Sequence, residues 1–218
     1  MRLAVFDVDG TLVDSQGHIM GAMERAFLAM DLPTPPRDSI LRIVGLSLPQ
    51  AFAQLVPGGD STVIDRLVDG YKSGFAALRS HETSPLYPGA MAALEALAAR
   101  EPVQMGVATG KSRRGLRHVM ASHGLAGYFC TTQVADDHPS KPHPSMLHAC
   151  LRETGAETGV MIGDTSYDME MGRAAGFRTL GVSWGYHAAS DLVEAGADLV
   201  IDSYAALIPA LDDLWGRA

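Results

Sequence analysis

A run of strand-forming apolar residues, Leu3-Ala4-Val5-Phe6, stops at two acids one residue apart and a glycine, Asp7-Val8-Asp9-Gly10. Acids in that position mark the end of a buried strand. In an open parallel sheet ligands bind in the crevice outside the carboxyl ends of the strands, so Asp7 and Asp9 are predicted to project into it. Residues two apart on a strand share a face, and like charges held that close repel unless a cation lies between them or one takes a proton. A divalent cation resolves the conflict. Gly10 can adopt positive φ and turn the chain away at once, and Thr11 can offer a hydroxyl donor at the turn. An ordinary acidic turn is the plain alternative. A calcium loop beginning at Asp7 would need a glutamate at its twelfth position, where His18 stands, so that reading fails.

Composition narrows the classes. With 218 residues, 47% of them hydrophobic, the chain can build a proper core as one large domain or two unequal ones. A formal charge of -8 argues against non-specific binding to phosphate backbones, and no Lys/Arg cluster reverses that locally, so nucleic acid is not expected as a partner. The apolar run at the N-terminus is broken by Asp7 and is too short and too acidic for a signal peptide. No apolar run approaches the ~18 residues of a membrane span, so no membrane association is expected. Cys130 and Cys150 have no CxxC context and read as free thiols in a reducing compartment, which places the chain in the cytoplasm.

From Gln16 to Leu86 the pattern turns helical. Ile19, Met23, Phe27 and Met30 recur at helical spacing, as do Ile64, Leu67, Val68, Tyr71 and Phe75, with turns at 32–37 and 57–60. An all-helical insertion that begins beside the acidic turn and ends at Tyr87-Pro88-Gly89 has the anatomy of a lid on two short tethers; a helical elaboration without catalytic role is the alternative. Within it, Val44-Gly45-Leu46-Ser47-Leu48 interrupts the helices as a flexible loop that can reach the site. Arg42 and Lys72 are the nearby cations, each equally well a solvated charge on a helix face.

Beyond Pro88 strands and helices alternate, which predicts a parallel sheet covered by helices on both faces, an α/β Rossmann-like architecture. A helix is expected over 90–100, a strand over 103–109, a helix over 116–123, a strand over 128–134, a helix over 145–154 and a strand over 159–162. Further strands are expected over 178–184 and 197–201, and a closing amphipathic helix over 205–215. The strand over 103–109 ends at Thr109-Gly110-Lys111-Ser112. This is no P-loop, because three residues separate Gly106 from Gly110 where the Walker pattern needs four. A strand-end threonine with a glycine amide and a helix N-terminus behind it still makes a phosphate cradle. Lys141 lies in the proline-rich stretch Pro139-Ser140-Lys141-Pro142-His143-Pro144, where rigid neighbours lower the cost of aiming its ammonium at an anion; a surface lysine is the bland reading. Asp164 and Asp168 follow the strand over 159–162 and can face one point, although a helix cap at Asp164 with Asp168 in the first turn accounts for both equally well. The eight histidines show neither HExxH nor a zinc spacing and are read as structural or solvent-exposed, and no GxSxG elbow is present.

These motifs, in this order, resemble those of the haloacid dehalogenase superfamily, in its phosphatase branch and most closely the phosphoglycolate phosphatase-like group. The segments that carry the resemblance are Phe6-Asp7-Val8-Asp9-Gly10-Thr11-Leu12-Val13-Asp14-Ser15, Ala108-Thr109-Gly110-Lys111, Lys141-Pro142-His143-Pro144, Gly163-Asp164-Thr165-Ser166-Tyr167-Asp168 and Val182-Ser183-Trp184-Gly185-Tyr186-His187. The resemblance implies an α/β core made of residues 1–15 and 87–218 with a helical cap over 16–86. It implies Asp7 as nucleophile, Asp9 as acid and base, Thr109 and Gly110 as phosphoryl binders, and Lys141 as the cation facing the transferring group. It further implies a Mg²⁺ ion held by Asp7, Asp164 and the backbone carbonyl of Asp9, with Asp168 in support behind them. Retention of Asp9 points within the superfamily to a phosphate ester. The expected enzyme, a monomer or homodimer, hydrolyses a small phosphorylated metabolite through an aspartyl-phosphate. A β-phosphoglucomutase-like mutase would use the same core, and a receiver-like signalling module is a third reading against which the helical lid counts.

Overall fold

The computed structural model describes residues 2–216; Met1, Arg217 and Ala218 lie outside the described residues. Strand β1 (Arg2–Phe6) leads into helices α1 (Gln16–Leu28), α2 (Arg37–Arg42), α3 (Leu48–Leu55) and α4 (Ser61–Arg79). Then α5 (Ala90–Ala98), β2 (Val103–Thr109), α6 (Arg113–His123), β3 (Thr131–Val134) and α7 (Ser145–Thr154) follow. The chain finishes with β4 (Val160–Gly163), α8 (Ser166–Ala174), β5 (Arg178–Val182), α9 (Ala189–Glu194), β6 (Leu199–Ile201) and α10 (Leu207–Gly216).

The six strands form one parallel sheet in the order β3-β2-β1-β4-β5-β6. This is the doubly wound arrangement, whose order reverses beside β1 and so opens a crevice at the carboxyl ends of β1 and β4. The register aligns Phe6 with Val107 on one side and with Ile162 on the other, which sets the ends of β1, β2 and β4 at one edge. Alternation along β1 divides its side chains between two cores. Ala4, Phe6 and Val8 join Leu94, Leu97, Leu207 and Leu211 on one face, while Leu3 and Val5 join Met146, Leu147, Met161 and Met171 on the other. With both faces covered, the strands have no need of polar alternation, and they read as unbroken apolar runs.

Helices α1–α4 enclose a third core of their own, with Met23, Phe27, Ile40, Phe52 and Leu67 at its centre. α1 and α4 approach closely because α4 presents glycine there: a Cβ on Gly70 would sit 3.3 Å from the Ala26 Cα, and one on Gly74 3.4 Å from the Ala22 Cα. The two connections to the sheet run side by side. Asp14 N–H donates to the Pro85 carbonyl at 2.9 Å and Tyr87 N–H to the Leu12 carbonyl at 2.9 Å, with Val13 bridged to Leu86. No helix among the described residues is long and apolar enough to cross a membrane. Cys130 is exposed and Cys150 buried, and both are free.

Several boundaries differ from the periodicity. The strand expected over 128–134 begins only at Thr131, because Tyr128 and Phe129 pack as partly buried side chains against the sheet core instead of pairing. The strand expected over 178–184 stops at Val182, which leaves Trp184 to donate its indole N–H to the Thr11 carbonyl at 3.1 Å. Helix α9 has no counterpart in the sequence pattern; its six residues bury only Leu192, too few for a periodic signal.

Candidate active site

The site residues expected from the sequence gather at the carboxyl edge of β1, β2 and β4. Asp7 follows β1 directly, and its N–H donates to the Ile162 carbonyl at 2.9 Å, so the ladder holds its backbone. Thr109 ends β2, Asp164 follows β4, and Lys141 arrives on the loop between β3 and α7; all four side chains are buried. Lys141 Nζ lies 3.0 Å from Asp7 Oδ1 and donates to Asp168 Oδ1 at 2.6 Å. Thr165 uses its N–H at 3.1 Å and its hydroxyl at 2.7 Å to occupy the other Asp168 oxygen. Asp168 is thus spent on aiming Lys141. The helix cap expected at Asp164 is made by Thr165 instead, in a capping box with Asp168. Asp164 is engaged elsewhere, with Oδ1 accepting from the Thr11 hydroxyl at 2.8 Å and Oδ2 from the Tyr186 N–H at 2.9 Å.

The charges here do not balance. Three buried carboxylates, Asp7, Asp164 and Asp168, have ligand oxygens within 4.8 Å of one another and face one buried ammonium. Burial, followed by repulsion from neighbouring acids and opposed by Lys141, pushes the Asp7 carboxyl up to about 6. Burial and the charges of Asp168 and Asp7 push Asp164 well above the ordinary carboxylate range, whereas the two acids hold the Lys141 ammonium firmly charged despite burial. Asp7 Oδ1 receives no hydrogen bond of proper geometry even though the ammonium is close. An all-oxygen donor set with surplus negative charge and an orphaned carboxylate oxygen fits a divalent cation.

Gly10 is required twice over. Its φ is +83°, and a Cβ would meet Asp164 Oδ2 at 2.1 Å. The turn it makes brings Asp9 back over the edge, where both carboxylate oxygens accept from Lys111 Nζ at 2.7 Å and Oδ1 also accepts from the Ser15 hydroxyl. Gly110 lies under the loop of the helical segment: a Cβ there would stand 2.6 Å from the Gly45 carbonyl oxygen. That loop does reach the site, held by Ser47 N–H donating to the Ser140 hydroxyl at 2.8 Å, and Val44, Gly45 and Leu46 are buried rather than loose. A cavity of about 180 Å³ opens from Asp7, Asp9, Thr109 and Gly110 toward α1, α3 and α4.

Residues 4–182 match the haloacid dehalogenase-like hydrolases. The chain belongs to this family. It is 31% identical over 217 residues to the probable phosphatase IndB of Dickeya dadantii, across 95% of this chain and 92% of that one. It is 28% identical over 221 residues to a phosphoglycolate phosphatase of Pseudomonas fluorescens, across 97% and 80%. Among solved structures, a hydrolase from Pseudomonas syringae matches with a TM-score of 0.87 at 25% identity, across 98% of this chain and 99% of that one.

In this haloacid dehalogenase-like hydrolase the sequence reading gives Lys111 no role of its own, although it stands in the failed P-loop and in the Ala108-Thr109-Gly110-Lys111 segment that carries the resemblance. The available signal is a lysine two residues beyond a strand-end threonine, at the same edge as the acids. It also misses Tyr186, whose hydroxyl shares a 3.1 Å hydrogen bond with Ser15 and whose N–H holds Asp164. Of the two cations singled out in the helical segment, Lys72 lines the cavity and Arg42 does not. Arg42 offers only its carbonyl, which accepts from the Tyr167 hydroxyl and from His187 Nε2, each at 3.1 Å. His187 Nδ1 accepts from the Ser166 N–H at 3.1 Å, so this buried histidine is a neutral structural bridge, and burial lowers its pKa accordingly.

Proposed function

We propose that this phosphatase hydrolyses small phosphate monoesters with Mg²⁺ through an aspartyl-phosphate on Asp7. The observation that carries the reading is the convergence of Asp7, Lys141 and the pair Asp164 and Asp168 from three segments into one buried, over-negative cluster at the mouth of a cavity. A Mg²⁺ ion held by Asp7, Asp164 and the Asp9 backbone carbonyl would supply the positive charge that lets a carboxylate approach a phosphate dianion. An Asp7 carboxylate oxygen attacks phosphorus, the phosphorus–ester oxygen bond breaks, and the Asp9 carboxyl gives its proton to the departing alkoxide. Water then attacks the phosphorus of the acyl phosphate, Asp9 takes the proton back, and inorganic phosphate leaves with Asp7 restored. Lys141, pinned by Asp168, and Thr109 with the Gly110 amide take up charge on the phosphoryl oxygens, which is where most catalysis of phosphoryl transfer lies.

Residues 16–86 act as a cap in this reading, since their own core and paired tethers make them a separate body facing the cavity. The free thiols suit a reducing compartment and support a cytoplasmic location. The test is release of phenol from a generic aryl phosphate. Wild type is expected to turn over with Mg²⁺ and to stop when the metal is chelated, and Asp7→Asn is expected to lose at least about a thousandfold, as a removed nucleophile should. Comparable activity in Asp7→Asn would discard the assignment.

A further inference from the structure

Helix α4 carries one side chain at the cavity that the mechanism does not use. Tyr71 follows Leu67 and Val68 at helical spacing and lines the cavity together with Asp7 and Asp9. Its ring is wedged between Phe52, with centroids 6.0 Å apart, and Phe75, 5.8 Å away, so the side chain is fixed before any ligand arrives. A buried tyrosine ordinarily finds a partner for its hydroxyl. Here the hydroxyl makes no hydrogen bond among the described residues, and unlike the orphaned Asp7 oxygen it is not sealed off, so it opens onto the cavity. Burial, and then the charge of Asp9, raises its pKa and keeps it a donor. Around it the helical segment supplies hydrocarbon from Ile19, Met23, Val44 and Leu48; among the described residues Tyr71 is the only neutral polar side chain that segment gives to the cavity.

We infer that Tyr71 is a specificity-determining residue whose hydroxyl donates to a neutral oxygen of the leaving group, an ether, carbonyl or hydroxyl oxygen set a few bonds from the ester. The inference rests on the phosphatase reading above and deepens it by naming what the helical segment recognises. In that reading Thr109, Gly110 and Lys141 take the phosphoryl group at the sheet edge, which leaves the wall that carries Tyr71 to face the rest of the ester. Asp9, which serves the ester oxygen, is also the acid whose charge reaches the Tyr71 hydroxyl, and this sets the recognised atom toward the ester end of the leaving group. A ligand that empties the cavity of water and offers only hydrocarbon there leaves the hydroxyl unpaired, whereas one with an acceptor does not, so the site penalises the first. Such a penalty is how a site separates isosteres that differ by one polar atom. An anion at the same point would stand near the Asp9 carboxylate, whose ammonium partner is already shared between both its oxygens, so a neutral acceptor is the better match.

Two pairs of alkyl phosphates that exchange an ether oxygen for a methylene test this, 2-methoxyethyl against butyl phosphate and 3-methoxypropyl against pentyl phosphate, each assayed with Mg²⁺ by release of phosphate. The ether oxygen also makes the alkoxide a better leaving group in any enzyme. The quantity read is therefore the ether-to-alkyl ratio of kcat/KM in wild type divided by the same ratio in Tyr71→Phe, which keeps the ring and removes only the hydroxyl. For at least one pair this quotient is expected to be about five, the factor that one neutral hydrogen bond of average strength supplies. Because it is a ratio of ratios, a general loss of folded enzyme does not imitate the effect. Quotients near one for both pairs overturn the inference while leaving the phosphatase reading intact. Failure of wild type to hydrolyse any of these esters also overturns the inference, and the aryl phosphate assay then decides the phosphatase reading separately.

Discussion

Lys111 touches the site from an unexpected side. Its ammonium grips both oxygens of Asp9 at 2.7 Å and lies 5.0 Å over the ring of Phe75, which belongs to α4. An ammonium in that position fixes the direction of the proposed acid and base, and the cation–π contact ties that direction to the helical segment. In the proposed reaction Asp9 would have to release this contact to serve the ester, which would make Lys111 a positioning residue. Lys111→Met is expected to lower kcat about ten- to a hundredfold, a part of the roughly hundred- to ten-thousandfold that a positioned general acid and base supplies, with a smaller change in KM. Lys111→Arg is expected to recover part of the loss, since a cation is again available. A Lys111→Met enzyme with normal kcat and raised KM would show instead that the lysine serves only binding. The sequence marks Lys111 only as a lysine two residues past a strand-end threonine, and that its ammonium turns onto Asp9 beside Phe75 depends on packing that no pattern shows. Asp7 and Asp9 are legible because an apolar run that ends abruptly in paired acids has the form of a buried strand opening into a polar crevice.

At the scale of elements, the apolar runs and their periodicity place all six strands and the longer helices but not the short α2, α3 and α9. Where a segment buries one residue, as α9 does with Leu192, no period exists to detect; where aromatics pack without pairing, as Tyr128 and Phe129 do, a strand is read too long. The cap of α8 reads as Asp164 in the sequence because acids and threonines compete for that role, and only the partners decide. Thr11 and Tyr186 occupy Asp164, which leaves the cap to Thr165. The close packing of α1 on α4 is also invisible, since glycine inside a helix ordinarily reads as a defect. Gly70 shows the balance of terms. Alanine there gains about 0.5–1 kcal/mol of helix propensity and loses a comparable amount to the tight contact with Ala26, so Gly70→Ala is expected to be close to neutral. Gly70→Leu forces the helices apart and is expected to cost about 1–3 kcal/mol in urea unfolding. Equal midpoints for the two variants would mean that the close approach contributes little.

For the molecule as a whole, the buried acids couple folding to protonation and, in the proposed reaction, to metal. The Asp7 carboxyl is pushed up to about 6, and Asp164 moves in the same direction, both chiefly by burial. A carboxyl raised in the folded state favours the fold below its unfolded value, and in metal-free protein that contribution is lost as pH rises toward about 6. A dication at the proposed site would bind the deprotonated acids, so it would have to displace protons at low pH and not at high pH. The rise in Tm on adding Mg²⁺ is therefore expected to be larger at about pH 7.5 than at about pH 5.5; an equal rise at both would place the ion away from these acids. The parallel sheet is readable from the alternation of strands and helices and the helical insertion from its periodicity, while the phosphatase class is read from the resemblance that the polar strand ends and loops carry. That Tyr71 faces the cavity is not readable, since the face its helix turns to the crevice is set only by packing. Trapping the covalent intermediate bears most directly on the mechanism. Enzyme turning over an aryl phosphate with Mg²⁺ is quenched in acid and reduced with borohydride, and its peptides are weighed. The expected product is homoserine in place of Asp7, formed only when ester and metal are both present. Steady turnover with Asp7 unmodified, or with the label on another acid, would contradict the account.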